Sequence, residues 1–301
     1  MSAYETIDLA YHGLDEADAV FLFRTDRGPV LVESGPAVTL ETLRTGLRSH
    51  GVDPTDIHAI LLTHIHLDHA GAAGWFADHG AEVHVHPFGA RHLSDPSRLN
   101  ASARRIYGDE LDVIFGELLR CPTNKVHAVE DGDRLDFGDV AFTAIETPGH
   151  ARHHHAWSTE LDGERICFTG DVAAMRLPGT DFPLFPLAPP EFELEPWLAS
   201  IARIAALDFD RLELTHFGRV DEPAAHLDIV RDRLVRETDF VRGLLEADDL
   251  DDDARMGAYR DWIGREGEHL DPEHLRTFAN RNLLAMNLGG VRRHLQTRET
   301  P

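Results

Sequence analysis

A short segment rich in histidine and aspartate is the strongest chemical signal in the sequence. It directly follows the apolar segment 57–63 and reads Thr63-His64-Ile65-His66-Leu67-Asp68-His69. Residues i and i+2 of an extended chain share a face, so His64 and His66 can bind one metal ion. Asp68 and His69 lie beyond the turn and can reach a second ion. Because zinc accepts imidazole nitrogen and carboxylate oxygen at about 2.0–2.2 Å, the segment predicts a metal site at a strand end.

Three later segments each place one more metal-binding residue type at the predicted end of a strand. They are Pro148-Gly149-His150, Thr169-Gly170-Asp171 and Thr215-His216. Loops at one edge of a sheet gather their side chains into a common cleft. We therefore expect His150, Asp171 and His216 to join the first segment in a single site.

Strand and helix signals alternate around these segments. Short apolar runs predict strands, and the first amphipathic pattern predicts a helix that Thr39 begins and Gly51 ends. The predicted strands are 19–24, 29–33, 57–63, 82–86, 140–147, 154–159, 164–169 and 211–215. Residues 88–125 interrupt the alternation and predict a helical insertion, with one helix at 102–120. Helical patterns without strands follow at 222–245, 254–264 and 272–297.

The composition indicates the broad class of protein. A chain of 301 residues with 42% hydrophobic and 27% charged residues is typical of a soluble globular protein with one large domain or a domain plus an appendage. No apolar run approaches the roughly 20 residues of a transmembrane helix. The N-terminal segment lacks the apolar core of a secretory signal. The two cysteines, Cys121 and Cys167, exclude a disulfide scaffold, so we expect a cytoplasmic protein.

The chain is strongly acidic. Its 53 acidic and 29 basic residues give a net charge of −24. Such a field repels phosphate backbones and anionic lipid surfaces, so we expect neither nucleic acid nor a membrane as a partner. Lys125 is the only lysine. This composition fits either adaptation to high salt or a GC-rich genome that encodes arginine in place of lysine, and the sequence leaves both open.

Taken together, the ligand motifs resemble those of the metallo-β-lactamase superfamily over residues 15–220. The resemblance implies an α/β fold, namely an αββα sandwich with a helical insertion at 88–125. We therefore expect a sandwich domain at 1–220 and an all-helical C-terminal extension at 221–301.

The same resemblance assigns each candidate ligand to one of two divalent metal ions. The first ion would be bound by His64, His66 and His150. The second would be bound by Asp68, His69 and His216, with Asp171 as the bridge between the two. A bridging carboxylate is similar to the glyoxalase II and lactonase branch, whereas many class B β-lactamases have cysteine at this position.

That branch implies a dinuclear metal-dependent hydrolase of an ester, thioester or lactone, with a metal-bridging hydroxide as the nucleophile. Zinc is the expected metal, and iron or manganese are alternatives. The expected catalytic residues are Asp68 and Asp171. Asp68 would orient the hydroxide and shuttle its proton to the leaving group, while Asp171 would hold both ions.

Two other classes of protein share this sandwich and stay open as alternatives. One is a mononuclear non-haem iron enzyme similar to the persulfide dioxygenases, in which the first-site histidines and the bridging aspartate hold a single iron. The other is a diiron redox or oxygen-binding protein, which normally carries a flavodoxin or rubredoxin partner domain. The presence of every second-site ligand favours two ions, and the helical tail has no signature of such a partner domain.

The substrate pocket is marked less strongly than the metal ligands. We expect a small-molecule substrate, and the candidate pocket residues are His154, Tyr107, Phe182, Phe185 and Tyr259. Ordinary packing is the alternative for each of them. We expect the apolar side chains of the C-terminal helices to be buried, either against the sandwich beside the cleft or against a second copy of the chain in a homodimer.

Overall fold

The computed structural model describes residues 4–298, which group into two compact units. Unit 1 consists of residues 4–146, His153–Gly170 and Phe209–Asp221. Unit 2 consists of Thr147–Arg152, Asp171–Asp208 and residues 222–298. Two internal segments thus group with the C-terminal helices, so the compact units differ from two continuous domains with a boundary at residue 220.

The structure contains the following strands and helices. The strands are β1 (Tyr4–Asp8), β2 (Ala19–Thr25), β3 (Gly28–Val32), β4 (Ala59–Leu61), β5 (Glu82–Val85), β6 (Val126–Ala128), β7 (Arg134–Asp136), β8 (Ala141–Glu146), β9 (His155–Leu161), β10 (Glu164–Phe168), β11 (Met175–Arg176), β12 (Pro183–Leu184), β13 (Arg211–Leu214) and β14 (Gly218–Val220). The helices are α1 (Leu40–Ser49), α2 (Leu67–Ala70), α3 (Ala73–Asp78), α4 (Pro87–Ser94), α5 (Ser97–Tyr107), α6 (Leu111–Ile114), α7 (Leu194–Ala206), α8 (Pro223–Glu246), α9 (Asp252–Glu266), α10 (Pro272–Phe278) and α11 (Arg281–Arg298).

Unit 1 is built on two six-stranded mixed sheets. The first has the order β1-β2-β3-β4-β5-β6, and its strands β3 to β6 run parallel. The second has the order β14-β13-β10-β9-β8-β7, and only β10 and β13 pair in parallel. Strand β4 is buried along its whole length, as expected for a parallel strand in the middle of a covered sheet. Its carboxyl end leads directly into the histidine-rich segment.

Alternation along β2 shows how the layers are held together. Phe21 and Phe23 face the second sheet, where their rings lie 4.8 Å from that of Phe168 and 4.9 Å from that of Phe142 respectively. The intervening Val20 and Leu22 belong to a second core, which the helices of unit 1 cover on the outer face of the first sheet. Successive side chains of a strand point to opposite faces, and each buried phenylalanine contributes about 2–3 kcal/mol. The expected α/β sandwich is therefore confirmed.

The helical insertion differs in detail from its prediction. A single helix over 102–120 is wrong, because α5 ends at Tyr107 and the separate helix α6 spans only Leu111–Ile114. Gly108, at a φ of 57°, ends α5, and Gly116, at 71°, follows α6. These backbone angles cannot continue a right-handed helix. The sequence analysis also missed β1, β6, β7, β11, β12 and β14. Of these, β6 and β7 are short, largely exposed strands at sheet edges without a strong apolar pattern.

Unit 2 contains the hairpin β11–β12 and the helices α7 to α11. Helix α8 is the longest, and α7, α9 and α11 all pack against it. Asp251 caps α9 by accepting a hydrogen bond from the backbone of Ala254, and Asp271 caps α10 in the same way. Among residues 4–298, no helix is both long enough and apolar enough to cross a bilayer.

Candidate metal centre

The histidine-rich segment lies between the end of β4 and the start of α2. Its first residues are tied to both sheets of unit 1: Leu62 donates its N–H to the His84 carbonyl and accepts a hydrogen bond from the Trp157 indole at 3.0 Å. The carbonyl of Thr63 accepts from the His155 N–H at 2.7 Å. His66 then occupies the position before the first residue of α2. The predicted placement of the motif at a buried strand end is what the structure shows.

Five of the candidate ligands form one cluster within unit 1. The His64 ring centroid lies 4.6 Å from that of His66 and 4.0 Å from that of His69. His216, which follows β13, lies 4.9 Å from His69 by ring centroids. Ligand atoms of Asp68, His69 and His216 all lie within 4.8 Å of one another. The three histidines His64, His69 and His216 are buried, whereas the Asp68 side chain keeps 27% exposure.

Glu33, at the end of β3, is the hydrogen-bonding centre beneath this cluster. Its Oε1 accepts from His69 Nδ1 at 2.9 Å, from the Thr63 hydroxyl at 2.5 Å and from the Thr215 hydroxyl at 3.3 Å. Its Oε2 faces the Thr63 N–H at 3.3 Å. Glu33 itself has a φ of 71°, a left-handed backbone that costs about 1–2 kcal/mol outside glycine. The surrounding structure thus holds this carboxylate in place behind the histidines.

The hydrogen bonds also assign the histidine tautomers. His69 donates through Nδ1 to Glu33, and His216 donates through Nδ1 to the Ala17 carbonyl at 2.9 Å. The Thr63 hydroxyl gives its proton to Glu33, so at 3.0 Å it accepts from Nδ1 of His64. Each of these rings therefore carries a lone pair on Nε2.

The resulting arrangement fits a cation. The Nε2 atoms of His69 and His216 lie 3.1 Å apart, and both present lone pairs. Two acceptors at this distance repel each other unless a positive charge lies between them. The same pattern, with Nδ1 held by a carboxylate or carbonyl and Nε2 directed to the metal, orients histidine ligands in metalloproteins. The residues present therefore fit a divalent metal ion with nitrogen and oxygen ligands.

Asp18 is a buried acid beside the cluster that the sequence analysis missed. It has no exposed surface, and its Oδ1 lies 3.9 Å from Nδ1 of His216. Burial raises the pKa of Asp18 to about 8, and the charges of His216 and His69 oppose that rise. Nothing in the local sequence marks Asp18, because its role depends on contact with His216, which lies 198 residues later in the chain.

The remaining two candidate ligands form a pair within unit 2. Nε2 of His150 lies 3.3 Å from Oδ2 of Asp171, and both side chains are at most 2% exposed. His150 donates through Nδ1 to the Pro186 carbonyl at 2.9 Å, which again leaves the lone pair on Nε2. Its ring packs edge-on against Trp197, at a centroid distance of 5.4 Å. The pair thus has the same tautomer pattern as the cluster of unit 1.

Gly170 and His154 adjoin the cluster of unit 1. The backbone of Gly170 has a φ of 52°, and a Cβ there would lie 2.6 Å from the Thr63 hydroxyl and 2.8 Å from Nε2 of His154. Only glycine fits such an approach. The His154 ring lies 4.9 Å from that of His64, so this predicted pocket residue is next to the ligands. His153 also lies close, with its ring 5.5 Å from that of His66.

Two tyrosines lie near Asp68 in unit 1. Burial and the charge of Asp68 raise the pKa of Tyr107 to about 12, and burial followed by Asp68 also raises the pKa of Tyr11. Both rings face Phe115, at centroid distances of 5.2 Å for Tyr107 and 6.1 Å for Tyr11. Tyr107 was a predicted pocket residue. Tyr11 was missed, because nothing in its local sequence indicates that it folds back beside residues 114–115.

The other three candidate pocket residues lie in the interior of unit 2. Phe182 packs beneath the guanidinium of Arg233, which lies 4.1 Å from the ring centroid. Phe185 has no exposed surface and packs near Trp197. Tyr259 is also fully buried, and its hydroxyl donates to Glu237. Tyr259 is therefore a core residue of the tail helices and does not lie at an open surface.

Comparison with known proteins identifies related sequences and folds. The family model of the metallo-beta-lactamase superfamily matches residues 16–216. The chain is 32% identical over 165 residues to a metallo-beta-lactamase fold-containing protein of Sulfurisphaera tokodaii, a match that covers 54% of this chain and 60% of that relative. It is 31% identical over 163 residues to a hydroxyacylglutathione hydrolase of Fuscovulum blasticum, covering 54% of this chain and 48% of that relative. The chain therefore spans about half to three-fifths of the length of these curated relatives.

Two solved structures show a similar fold over nearly the whole chain. A metallo-beta-lactamase family protein from Thermus thermophilus matches with a TM-score of 0.69 at 21% identity, covering 99% of this chain and 95% of that chain. An archaeal superfamily protein from Sulfolobus tokodaii matches with a TM-score of 0.63, also at 21% identity, covering 97% of this chain and 99% of that chain. At this identity the likeness concerns the fold alone.

Proposed function

This chain belongs to the metallo-β-lactamase superfamily, and on that basis we propose that it is a dinuclear metal-dependent hydrolase of an ester, thioester or lactone. The observation that carries the proposal is the pair of Nε2 lone pairs of His69 and His216, 3.1 Å apart and beside Asp68. A site that holds lone pairs and a carboxylate this close together is built to bind a cation. The superfamily relatives named as hydrolases support hydrolysis as the reaction.

The proposal joins the two ligand groups into one centre. One ion would be held by His64, His66 and His150, and the other by Asp68, His69 and His216, with Asp171 between them. Chain continuity supports this assignment, because Asp171 directly follows Gly170, whose backbone lies against Thr63 and His154. Similarly, His150 lies three residues before His153, and the His153 ring is near that of His66.

Zinc is the metal that we propose, because it accepts imidazole and carboxylate ligands, and iron or manganese are the alternatives for the same ligand set. Bound divalent ions would lower the pKa of a coordinated water toward neutrality and polarise a carbonyl group. The residues of the chain would then do the positioning and the proton transfer. Of the two candidate carboxylate ligands, Asp171 is buried, whereas the side chain of Asp68 is 27% exposed. Asp68 can therefore contact both water and substrate. It would accept a proton from the attacking water and donate it to the leaving group.

The substrate class follows from the carboxylate at position 171 and from the overall charge. Asp171 would bridge the two ions as the corresponding aspartate does in the glyoxalase II and lactonase branch, and this resemblance favours an activated carbonyl compound over a β-lactam. A chain with a net charge of −24 favours a small molecule over a nucleic acid. We place the enzyme in the cytoplasm, in keeping with its two buried thiols at Cys121 and Cys167.

The decisive experiment combines metal content with a substrate panel. Protein purified anaerobically in the presence of excess metal should contain about two equivalents of zinc per chain and hydrolyse members of a panel of lactones, thioesters and aryl esters. Asp171→Ala should lose metal and activity together. His79→Ala is a matched control, because His79 is an exposed residue that directly follows α3 and stacks on Trp75. One iron per chain with activity on a persulfide, or full activity without metal, would overturn the proposal.

A further inference from the structure

His150 is oriented by a hydrogen bond to a short backbone segment of unit 2. The C-terminal helix α11 bonds to that segment on both sides of the acceptor residue. His150 donates through Nδ1 to the carbonyl of Pro186 at 2.9 Å. Asn287, in α11, bonds to the residue on each side of Pro186: its Oδ1 accepts from the Leu187 N–H at 2.9 Å, and its Nδ2 donates to the Phe185 carbonyl at 2.8 Å. One side chain thus fixes the peptide groups on both sides of Pro186, one of which carries the carbonyl that accepts from His150.

The amide of Asn287 is itself held in a single orientation. Its second Nδ2 hydrogen is donated to the Tyr259 hydroxyl at 2.9 Å, and that hydroxyl donates in turn to Glu237. Asn287 is 1% exposed, so water does not compete for these bonds. An exchange of the amide oxygen and nitrogen would place two donors against each other at Leu187. The network therefore permits one orientation, and through it one position of the Phe185–Leu187 backbone.

Gly290, one turn after Asn287, provides a second and independent contact between α11 and this segment. A Cβ at Gly290 would lie 1.8 Å from the Leu187 carbonyl oxygen, so any side chain would push the segment away. Helix α11 thus contacts the segment Phe185–Leu187 twice: Asn287 bonds to it, and the missing side chain of Gly290 leaves room for its backbone. The close approach is specific, because no other glycine among residues 4–298 would bring a Cβ so near to a backbone atom.

We propose that Asn287 is a positioning residue for His150, with Glu237 and Tyr259 as its supports, and that the C-terminal helices thereby set the affinity of the metal centre. The inference rests on the proposed function, in which His150 binds metal. A fixed Pro186 carbonyl keeps the proton on Nδ1 and directs the Nε2 lone pair toward Asp171. Loss of such outer hydrogen bonds typically weakens metal binding about 10–100-fold.

The test measures zinc affinity and the state of His150 in the full-length protein. In chelator competition, Asn287→Ala should bind one of its two zinc ions about 10–100-fold less tightly than the wild type. In the zinc-loaded protein labelled with ¹⁵N-histidine, the slowly exchanging Nδ1–H signal of His150 should be lost. A His150→Gln variant assigns that signal. Val291→Ala is the matched control, because Val291 is a buried residue of the same helix and should lower thermal stability without changing either readout.

A milder variant keeps the test decisive if Asn287→Ala does not fold. Tyr259→Phe retains the ring but removes one support of the amide, and the loss of a single hydrogen bond should weaken zinc binding about 2–10-fold. Wild-type zinc affinity and an unchanged His150 signal in whichever variant folds would overturn the inference. If instead the wild type binds no zinc, or His150→Ala binds it as tightly as the wild type does, the failure lies in the proposed ligand set.

Discussion

Glu33 offers the sharpest test of how the metal ligands are held. Its carboxylate accepts hydrogen bonds from His69, Thr63 and Thr215 while having no exposed surface. In Glu33→Gln the side chain keeps its shape, but the oxygen that remains is neutral. If that oxygen stays at the position of Oε1, the new NH₂ group faces the Thr63 N–H, which Oε2 of Glu33 approaches to 3.3 Å. The substitution thus removes a charge and creates one contact between two donors.

The expected size of the effect follows from these contacts. A hydrogen bond to a charged acceptor contributes about 1.5–3 kcal/mol and a neutral one about 0.5–1.5 kcal/mol, so the bond from His69 should weaken by about 1–1.5 kcal/mol. Because the carboxylate raises the basicity of Nε2 through Nδ1–H, zinc affinity at the site of Asp68, His69 and His216 should fall by about tenfold or more. The unpaired Thr63 N–H should cost a further 1–3 kcal/mol or so in the free energy of unfolding.

Chelator competition in zinc buffers and thermal unfolding of the apoprotein measure the two effects separately. Glu213→Gln is the matched control, because Glu213 is a buried carboxylate of β13 that bonds to Tyr4 and pairs with Arg211 at 3.1 Å. It should lower stability while leaving zinc affinity at the wild-type value. If Glu33→Gln binds zinc as tightly as Glu213→Gln does, the role of Glu33 in orienting His69 is refuted.

Four further predictions follow from the described contacts and the charge. Asp68→Asn should retain most of the bound metal but lose turnover about 10²-fold, and near-wild-type turnover would rule out its role in proton transfer. Gly170→Ala should lower the free energy of unfolding by about 2 kcal/mol or more, because the new Cβ would clash with Thr63 and His154 and because the backbone there is left-handed. An unchanged free energy of unfolding in urea would contradict this. Burial lowers the pKa of His84 from 6.5 to about 4. Between these pH values the unfolded state binds more protons than the folded state, so the free energy of unfolding falls as the pH is lowered through that range. His84→Gln should recover up to about 3 kcal/mol of this loss at pH 4. The net charge of −24 predicts a Tm that rises between low and molar KCl, where the screening length is about 3 Å, and a flat or falling Tm would point to genome bias.

Much of the fold could be predicted from local patterns. The strands β2, β3, β5, β8, β9, β10 and β13 lie within a residue or two of the predicted segments, because each has a run of apolar residues that buries at least one face. The insertion was predicted less well, since short helices that end at left-handed glycines have no long period to detect. The grouping of 147–152 and 171–208 with the tail depends on packing between distant segments, which a pattern along the chain does not encode.

The sequence by itself determined the chemistry and the order of the candidate ligands. Residue type decides which atoms can bind a metal, and short-range patterns place those residues at strand ends, so His64, His66, Asp68 and His69 needed no tertiary information. Only the tertiary structure decided what holds them. Glu33 is 36 residues from His69 and 182 residues from Thr215, and Asn287 is 100 residues from Leu187. Both residues acquire these contacts because folding desolvates them against particular donors and acceptors, which lie too far away in the sequence for a local pattern to specify.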